Sequence, residues 1–276
     1  MNVAAQVSDH ALTPLNRANG CVRLSVKPKG NTSGIETLYQ SGALKAVFPR
    51  TQDMTCVLVN TAGGITGGDQ FSTHAHVRPN ARLTLTTQAA ERAYRARPRE
   101  TGKVRTTLQA DENTALRWLP QETILFDRCN LNRRLTVNLA GQVDALIVEP
   151  LIFGRAAMGE TQIDGSIRDR IEIFQDGQPI YIDSWSMSGD LCAQLRRPAI
   201  GGGATAMVSL IWVSNQAEAA LDKVRTLLPE TAGASLRASN MLCIRLLAKD
   251  GYHMRKTLLP TLDYLTQNSL PTCWRL

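Results

Sequence analysis

The chain has no apolar run approaching the ~20 residues of a membrane-spanning helix; its longest candidate, Ala206 to Val213, is far too short. The opening stretch MNVAAQVSDHALTPLNRANG has no basic start followed by an apolar block, so no secretion signal is expected and the reading is cytoplasmic. No two cysteines form a CxxC pair. Cys21, Cys56, Cys129, Cys192, Cys243 and Cys273 lie 30 or more residues apart, a spacing that excludes zinc knuckles and small disulfide scaffolds and suits reduced, mostly buried thiols. Aromatic residues make up only 5% of the chain, too few for an extended base-stacking platform. Lysine is scarce as well: 24 of the 31 cations are arginine, the residue that suits desolvated ion pairs and protein interfaces. The nucleophile elbow GxSxG and the phosphate loop are also missing.

What is present is the material of a soluble globular protein. The 276 residues are enough for one large domain or two small ones, 43% are hydrophobic, and the mean hydropathy is -0.16. The formal net charge is +7, and the densest patch, Glu91 to Arg105, carries six cations against two anions. That patch fits a solvated or partner-facing surface better than a nucleic-acid site.

Periodicity divides the chain into three parts. Residues 1–19 read as a loose polar tail. Residues 20–213 read as strands: Val22 to Val26, Leu83 to Thr86 and Ile167 to Ile173 alternate, with turn signals at Arg78-Pro79-Asn80, Asp111-Glu112-Asn113 and Asp176-Gly177. Residues 214–276 read as a helical part packed on the same domain, with helices over Gln216 to Leu228, Ser235 to Lys249 and Tyr252 to Gln267, the last bent or broken at Pro260. The first two carry more apolar residues than one docking stripe needs, which predicts a second covered face on them.

A weak repeat runs through the β region. LTLTTQ from Leu83, LRWLPQ from Leu116 and LIVEPL from Leu146 start at offsets of 33 and then 30 residues. Such spacing fits stacked, β-helix-like layers; consecutive hairpins of a sandwich fit it too. In register, the stacked reading gathers Thr86, Thr87 and Gln88 beside Gln121, Glu122 and Glu149 at one end of the stack. So many polar groups together must be solvated, paired or ion-binding. His74 and His76 share a strand face at a spacing that suits a metal, with no obvious third ligand. The carboxylate pairs Glu122/Asp127 and Glu149/Glu160 have the right chemistry for acid–base work but no accompanying pocket signature. Asn60 to Asp69, NTAGGITGGD, holds four glycines in six positions but has neither the phosphate-loop nor the dinucleotide spacing. An uncharacterised hydrolase or a basic β-rich nucleic-acid-binding domain remains as the alternative at this point.

The same stretches resemble one family. NTAGGITGGD (Asn60 to Asp69), TTQAAERAYR (Thr86 to Arg95), LPQETILFDR (Leu119 to Arg128) and EPLIFGRAAMGE (Glu149 to Glu160) match, in order, the hallmark blocks of urease accessory protein D, called H in some organisms. LYQSGALKAVFPR, QDGQPIYID and the ending PTCWR are similar to further family segments, with Asp183 where Glu is common and Thr272 where Arg is usual. The resemblance implies a mainly β, β-helix-like fold and a non-enzymatic maturation chaperone. It implies binding to the urease apoprotein and to accessory protein F, which recruits the GTPase accessory protein G, and leaves a homodimer within the accessory complex open. Neither nucleic acid nor membrane is implied as a partner. No cofactor is implied as tightly bound: nickel is in transit, and GTP sits on the partner GTPase only. Carried over by motif, the residues lining a transient nickel path are Asp69, Thr86, Thr87, Gln88, Glu122, Glu149 and Glu160. The C-terminal helices are expected to supply part of the accessory protein F interface.

Overall fold

Alternating strands separated by turns that need a left-handed residue fold here into flattened coils stacked on one another. The computed structural model describes residues 16–155, 158–160 and 162–275. In chain order the strands are β1 (Asn19–Lys29), β2 (Thr32–Gly42), β3 (Leu44–Val47), β4 (Thr55–Asn60), β5 (Gln70–Val77), β6 (Arg82–Thr87), β7 (Glu91–Ala93), β8 (Gly102–Ala110) and β9 (Thr114–Leu119). There follow β10 (Thr123–Leu125), β11 (Asn130–Leu139), β12 (Val143–Phe153), β13 (Asp164–Gln175), β14 (Gln178–Asp190) and α1 (Leu191–Leu195). The last elements are β15 (Ala206–Val213), α2 (Ala217–Leu227), β16 (Ala232–Ala238), β17 (Met241–Ala248) and α3 (Gly251–Leu265). Most of the expected tail, residues 1–15, lies outside the described residues, and Asn19 already belongs to β1.

The chain crosses repeatedly between two sheets. The first sheet has the order β14-β13-β11-β8-β5-β1-β2, and the second runs β16-β17-β15-β12-β9-β6-β4-β3. The central strands of each are parallel, because every coil returns in the same direction. The corners stack too: Asn80, Asn113 and Gly141 each take positive φ at the same corner of successive coils, and the Asn80 amide donates to the Glu112 carbonyl of the next. At Asp176-Gly177, two successive left-handed residues close the tight β13–β14 hairpin. The fold class expected from the repeat, mainly β with stacked strands in one domain, is the one observed.

Two cores result. Leu83, Leu85, Leu116, Ile147 and Phe153 from the second sheet meet Val22, Leu108, Leu135 and Ile171 from the first in the space between the sheets. On the outer side of the second sheet, Leu146, Val148, Leu210 and Leu246 pack beneath Val224 of α2 and Met254, Leu258 and Leu262 of α3. β12 and β15 are therefore apolar on both faces, which accounts for their continuous hydrophobic runs.

The C-terminal part is helical only in pieces. The expected helix over Ser235 to Lys249 is instead the β16–β17 hairpin, and β17 adds to β15 antiparallel. In MLCIRLLA the residues Leu242, Ile244, Leu246 and Ala248 are buried at a period of two, the strand period. A short apolar run fits either element by pattern alone, and pairing with the open edge of β15 decided it. Those apolar side chains lie within the second core, so they offer no helical face to accessory protein F. The other two helices form as read, and α3 continues through Pro260 without a break in its assignment.

Candidate functional site

A cavity of about 190 Å³ lies between the sheets. That is room for on the order of ten waters. Its walls are apolar residues of both sheets, including Leu58, Phe71, Val104, Leu131 and Leu135, interrupted by Thr73, Thr106 and Thr123. Exposed Gln88, together with Thr87, Ala90, Glu91 and Arg92, borders it on one side along with Asn60 and Gly63 of the glycine-rich block. Gly64 packs that block closely: a Cβ there would overlap the Tyr94 ring and stand 2.8 Å from the Arg92 carbonyl oxygen. The Asn60 amide donates to Glu91 Oε2 at 3.0 Å and to the Gly64 carbonyl at 3.0 Å. Burial pushes the Glu91 carboxyl up, against the lowering effect of that Asn60 bond.

Arg133 and Glu149 also line the cavity, fully inside the protein. The Arg133 guanidinium grips Asp169 through Nε (2.9 Å) and Nη2 (2.7 Å), and its Nη1 reaches Glu149 Oε2 at 2.5 Å. The indole of Trp118 donates to the other Glu149 oxygen at 2.7 Å. Burial raises the Glu149 carboxyl, opposed by Arg133. Burial alone would lower the Arg133 guanidinium, but Asp169 and Glu149 outweigh it and hold the group charged. The trio thus carries two carboxylates against one cation at the inner wall of the cavity, buried from bulk solvent.

The seven residues carried over by motif do not form one column. Thr87, Gln88 and Glu149 line the cavity. Thr86 points to the opposite side of the second sheet, where its hydroxyl donates to the Leu119 carbonyl at 2.6 Å and lies 3.5 Å from Cys273 Sγ. Glu122 is also absent from the cavity wall; it is buried and bound by Arg255 of α3, with Nε–Oε1 at 2.5 Å and Nη2–Oε2 at 3.1 Å. Arg255 also bonds Gln121 and lies over the Trp274 ring, so this cluster latches α3 and the C-terminal turn to the sheet. Asp69 accepts the backbone amides of Ala18 and Thr66, each at 2.8 Å, and so fastens the glycine-rich turn to the start of β1. At Glu160, desolvation would raise the carboxyl, but hydrogen bonds from Arg155 and from the Asp127 and Arg155 amides lower it.

The split has a cause in register. Leu83 pairs with Leu116, as the offset of 33 requires, but Leu116 pairs with Ala145 and Leu146 with Arg117. The third copy is displaced by one residue, which turns Glu149 inward while Thr86 faces the helices. Arg133 and Asp169 were missed in the sequence, although their signal was there. Arg133 stands in the inward series Leu131, Leu135, Val137, and Asp169 in the series Ile167, Ile171, Ile173. A charge at an inward position of a strand needs a partner inside.

The histidines do not join the cavity. His76 Nε2 pairs with Asp111 at 2.9 Å, and His74 is exposed on the outer side of the first sheet; among the described residues no three His, Cys, Asp or Glu side chains converge on a metal position. Burial pushes the Cys56 and Cys129 thiols up to about 12. No helix of the described residues is long and apolar enough to cross a membrane.

The sequence matches known proteins over nearly its whole length. The family profile described as UreD urease accessory protein matches residues 18–275. This chain belongs to the UreD urease accessory protein family. It is 48% identical over 267 residues to a urease accessory protein UreD of Roseobacter denitrificans, covering 96% of this chain and 98% of that one. It is 47% identical over 255 residues to a urease accessory protein UreD of Ruegeria pomeroyi (92% and 99% covered), and 40% identical over 266 residues to one of Mesorhizobium japonicum (94% and 95% covered).

In this UreD-family chain the Glu122 latch gives a first expected outcome. Glu122→Ala should lower folding stability by about 1–3 kcal/mol, less than a fully buried pair, because Arg255 is 26% exposed and can turn to water. Chemical denaturation checks the loss. Protection of α3 amides from hydrogen exchange should fall with it, while β8 and β11 stay protected.

Proposed function

We propose that this chain acts in urease maturation as a non-catalytic chaperone that binds the urease apoprotein together with accessory proteins F and G. In this reading GTP is bound and hydrolysed on G alone, and Ni²⁺ passes through the chain as cargo. The observation that carries the proposal is family membership over nearly the whole chain, combined with a cavity bordered by Gln88, Thr87 and Glu91 and reaching Glu149.

The donor types suit transit. Nickel stands high in the affinity order for nitrogen and sulfur ligands, so a cage of His and Cys would hold it. Single carboxylates, hydroxyls and amides bind through water and let go. Glu91 at the border and Glu149 at the inner wall, the latter already bound by Arg133 and Trp118, supply carboxyl oxygens, and Thr73, Thr87, Thr106 and Thr123 supply exchangeable oxygen contacts between them. Arg133 offsets part of the carboxylate charge, which keeps the interior from becoming a tight site. Thr86, Glu122, Asp69 and Glu160, by contrast, act on this reading as fasteners of the surrounding structure.

The test is co-purification. The tagged full chain, expressed with apo-urease and accessory proteins F and G, should retain apo-urease and F and should show no GTP turnover by itself. Retention of neither protein by the folded chain would overturn the proposal.

A further inference from the structure

We propose that the outer face of the first sheet docks a folded protein bearing an acidic surface; resting on the reading above, that protein is the urease apoprotein. The two sheets differ in what covers them. α2 and α3 pack over the second sheet, while the outward positions of the first lie at the surface: Arg23, His74, Lys103, Gln109, Arg134 and Arg168 are all exposed.

Register turns these positions into rows of charge. Arg134 on β11 stands beside Arg105 on β8 and Arg170 on β13. Two residues earlier, Lys103 and Arg168 flank Asn132 on the same strands. Strands lie about 4.8 Å apart, so five cations fall within a patch about 10 Å across and two rows deep. A single carboxylate, Glu172, sits among them. It is buried and takes 2.7 Å bonds from both Arg134 Nε and Arg170 Nε, which fixes the two guanidinium planes side by side. Among the described residues the Arg105 guanidinium bonds the Val104 and Asn132 carbonyls and no carboxylate, and burial together with neighbouring Arg134 pushes it down.

The rim supplies apolar anchors. Tyr39 on edge strand β2 is 55% exposed beside Arg23, and Ile182 on edge strand β14 is 52% exposed opposite Glu172. Fixed arginines with an exposed tyrosine are the residue types that carry binding energy at protein interfaces. The size fits as well. Seven strands and six residues of strand length make a face of about 29 by 20 Å, roughly 600 Å², near the ~800 Å² per partner of a standard interface. A nucleic acid matches less well, because Tyr39 is the one exposed Phe, Tyr or Trp on this face among the described residues, too little for base stacking.

The experiment measures binding of apo-urease to the full chain between low and high salt. Wild type is compared with Lys103→Glu/Arg168→Glu, the milder Lys103→Gln/Arg168→Gln, and Lys223→Glu on exposed α2 as control. Far-UV spectra confirm that each variant is folded. The charge-reversed pair is expected to bind at least tenfold more weakly and with a flatter salt dependence, the neutral pair to fall between, and the control to match wild type. Equal binding by the reversed pair at every salt would show that the face is not the interface, and would leave the family reading standing. Failure of the wild type to bind apo-urease at any salt would remove both. Unchanged apo-urease binding with lost retention on a DNA column would make the face a nucleic-acid surface and overturn the proposal.

Discussion

Replacing Arg133 by Met is expected to cost about 3–5 kcal/mol of folding stability. The guanidinium is the cation between Glu149 and Asp169, and all three side chains are fully or nearly buried. Methionine is apolar and leaves the two carboxylates without their cation, with only the cavity beside Glu149 to solvate them. The pH dependence follows in sign. Burial already raises the Glu149 carboxyl in the wild type, and losing Arg133 raises it further. A carboxyl with a raised folded pKa holds its proton in the fold and releases it in the unfolded chain. Its contribution is therefore full below the unfolded value near 4.5 and is lost as pH rises through the folded value. Arg133→Met should thus regain stability on acidification from pH 7 toward pH 5, relative to wild type. Urea unfolding at several pH values measures this. A loss below 1 kcal/mol with no pH dependence would mean that the trio is not the internal charge balance described here.

Ala90→Trp is expected to reduce urease activation in cells to about a tenth of wild type or less, with apo-urease and accessory protein F still bound. Ala90 borders the cavity beside Glu91, and its half-buried position admits a larger side chain at the rim. An indole there competes for the space between Gln88 and Asn60 through which a hydrated ion would enter. Overpacking costs about 1–3 kcal/mol, so the thermal midpoint is read alongside activation. Ala89→Trp, at the exposed neighbouring position of the same border, provides a second blocking variant with less strain. Full activation by both folded variants would remove the cavity from the nickel route.

Much of this architecture was legible because the stacked coils leave a repeat. The pairing of Leu83 with Leu116 is the offset visible between LTLTTQ and LRWLPQ. The next offset was not legible. LIVEPL is apolar toward both cores, so no face of the strand marks its register, and a one-residue slip went undetected until pairing fixed it. That slip puts Glu149 on the cavity side with Thr87, while the alternation of side chains along β6 sends neighbouring Thr86 to the helix side. The β16–β17 hairpin was hidden for a related reason: its apolar residues serve a sheet edge whose need for a partner is a tertiary fact. The Glu122–Arg255 contact joins residues 133 apart and leaves no local trace. Arg133 and Asp169, in contrast, were readable as charges standing in inward series, had each strand been phased before its charges were assigned to solvent.

The central claim is that nickel reaches urease through the cavity between the two sheets, and the nickel content of urease matured in a purified system measures it most directly. Apo-urease, accessory proteins F and G, GTP and Ni²⁺ are combined with wild-type chain or with Ala90→Trp, and nickel per active site is counted after desalting. The account predicts near-full loading with wild type and about a tenth of that with Ala90→Trp, although both form the same complex. Equal loading at equal rates by the two would contradict it.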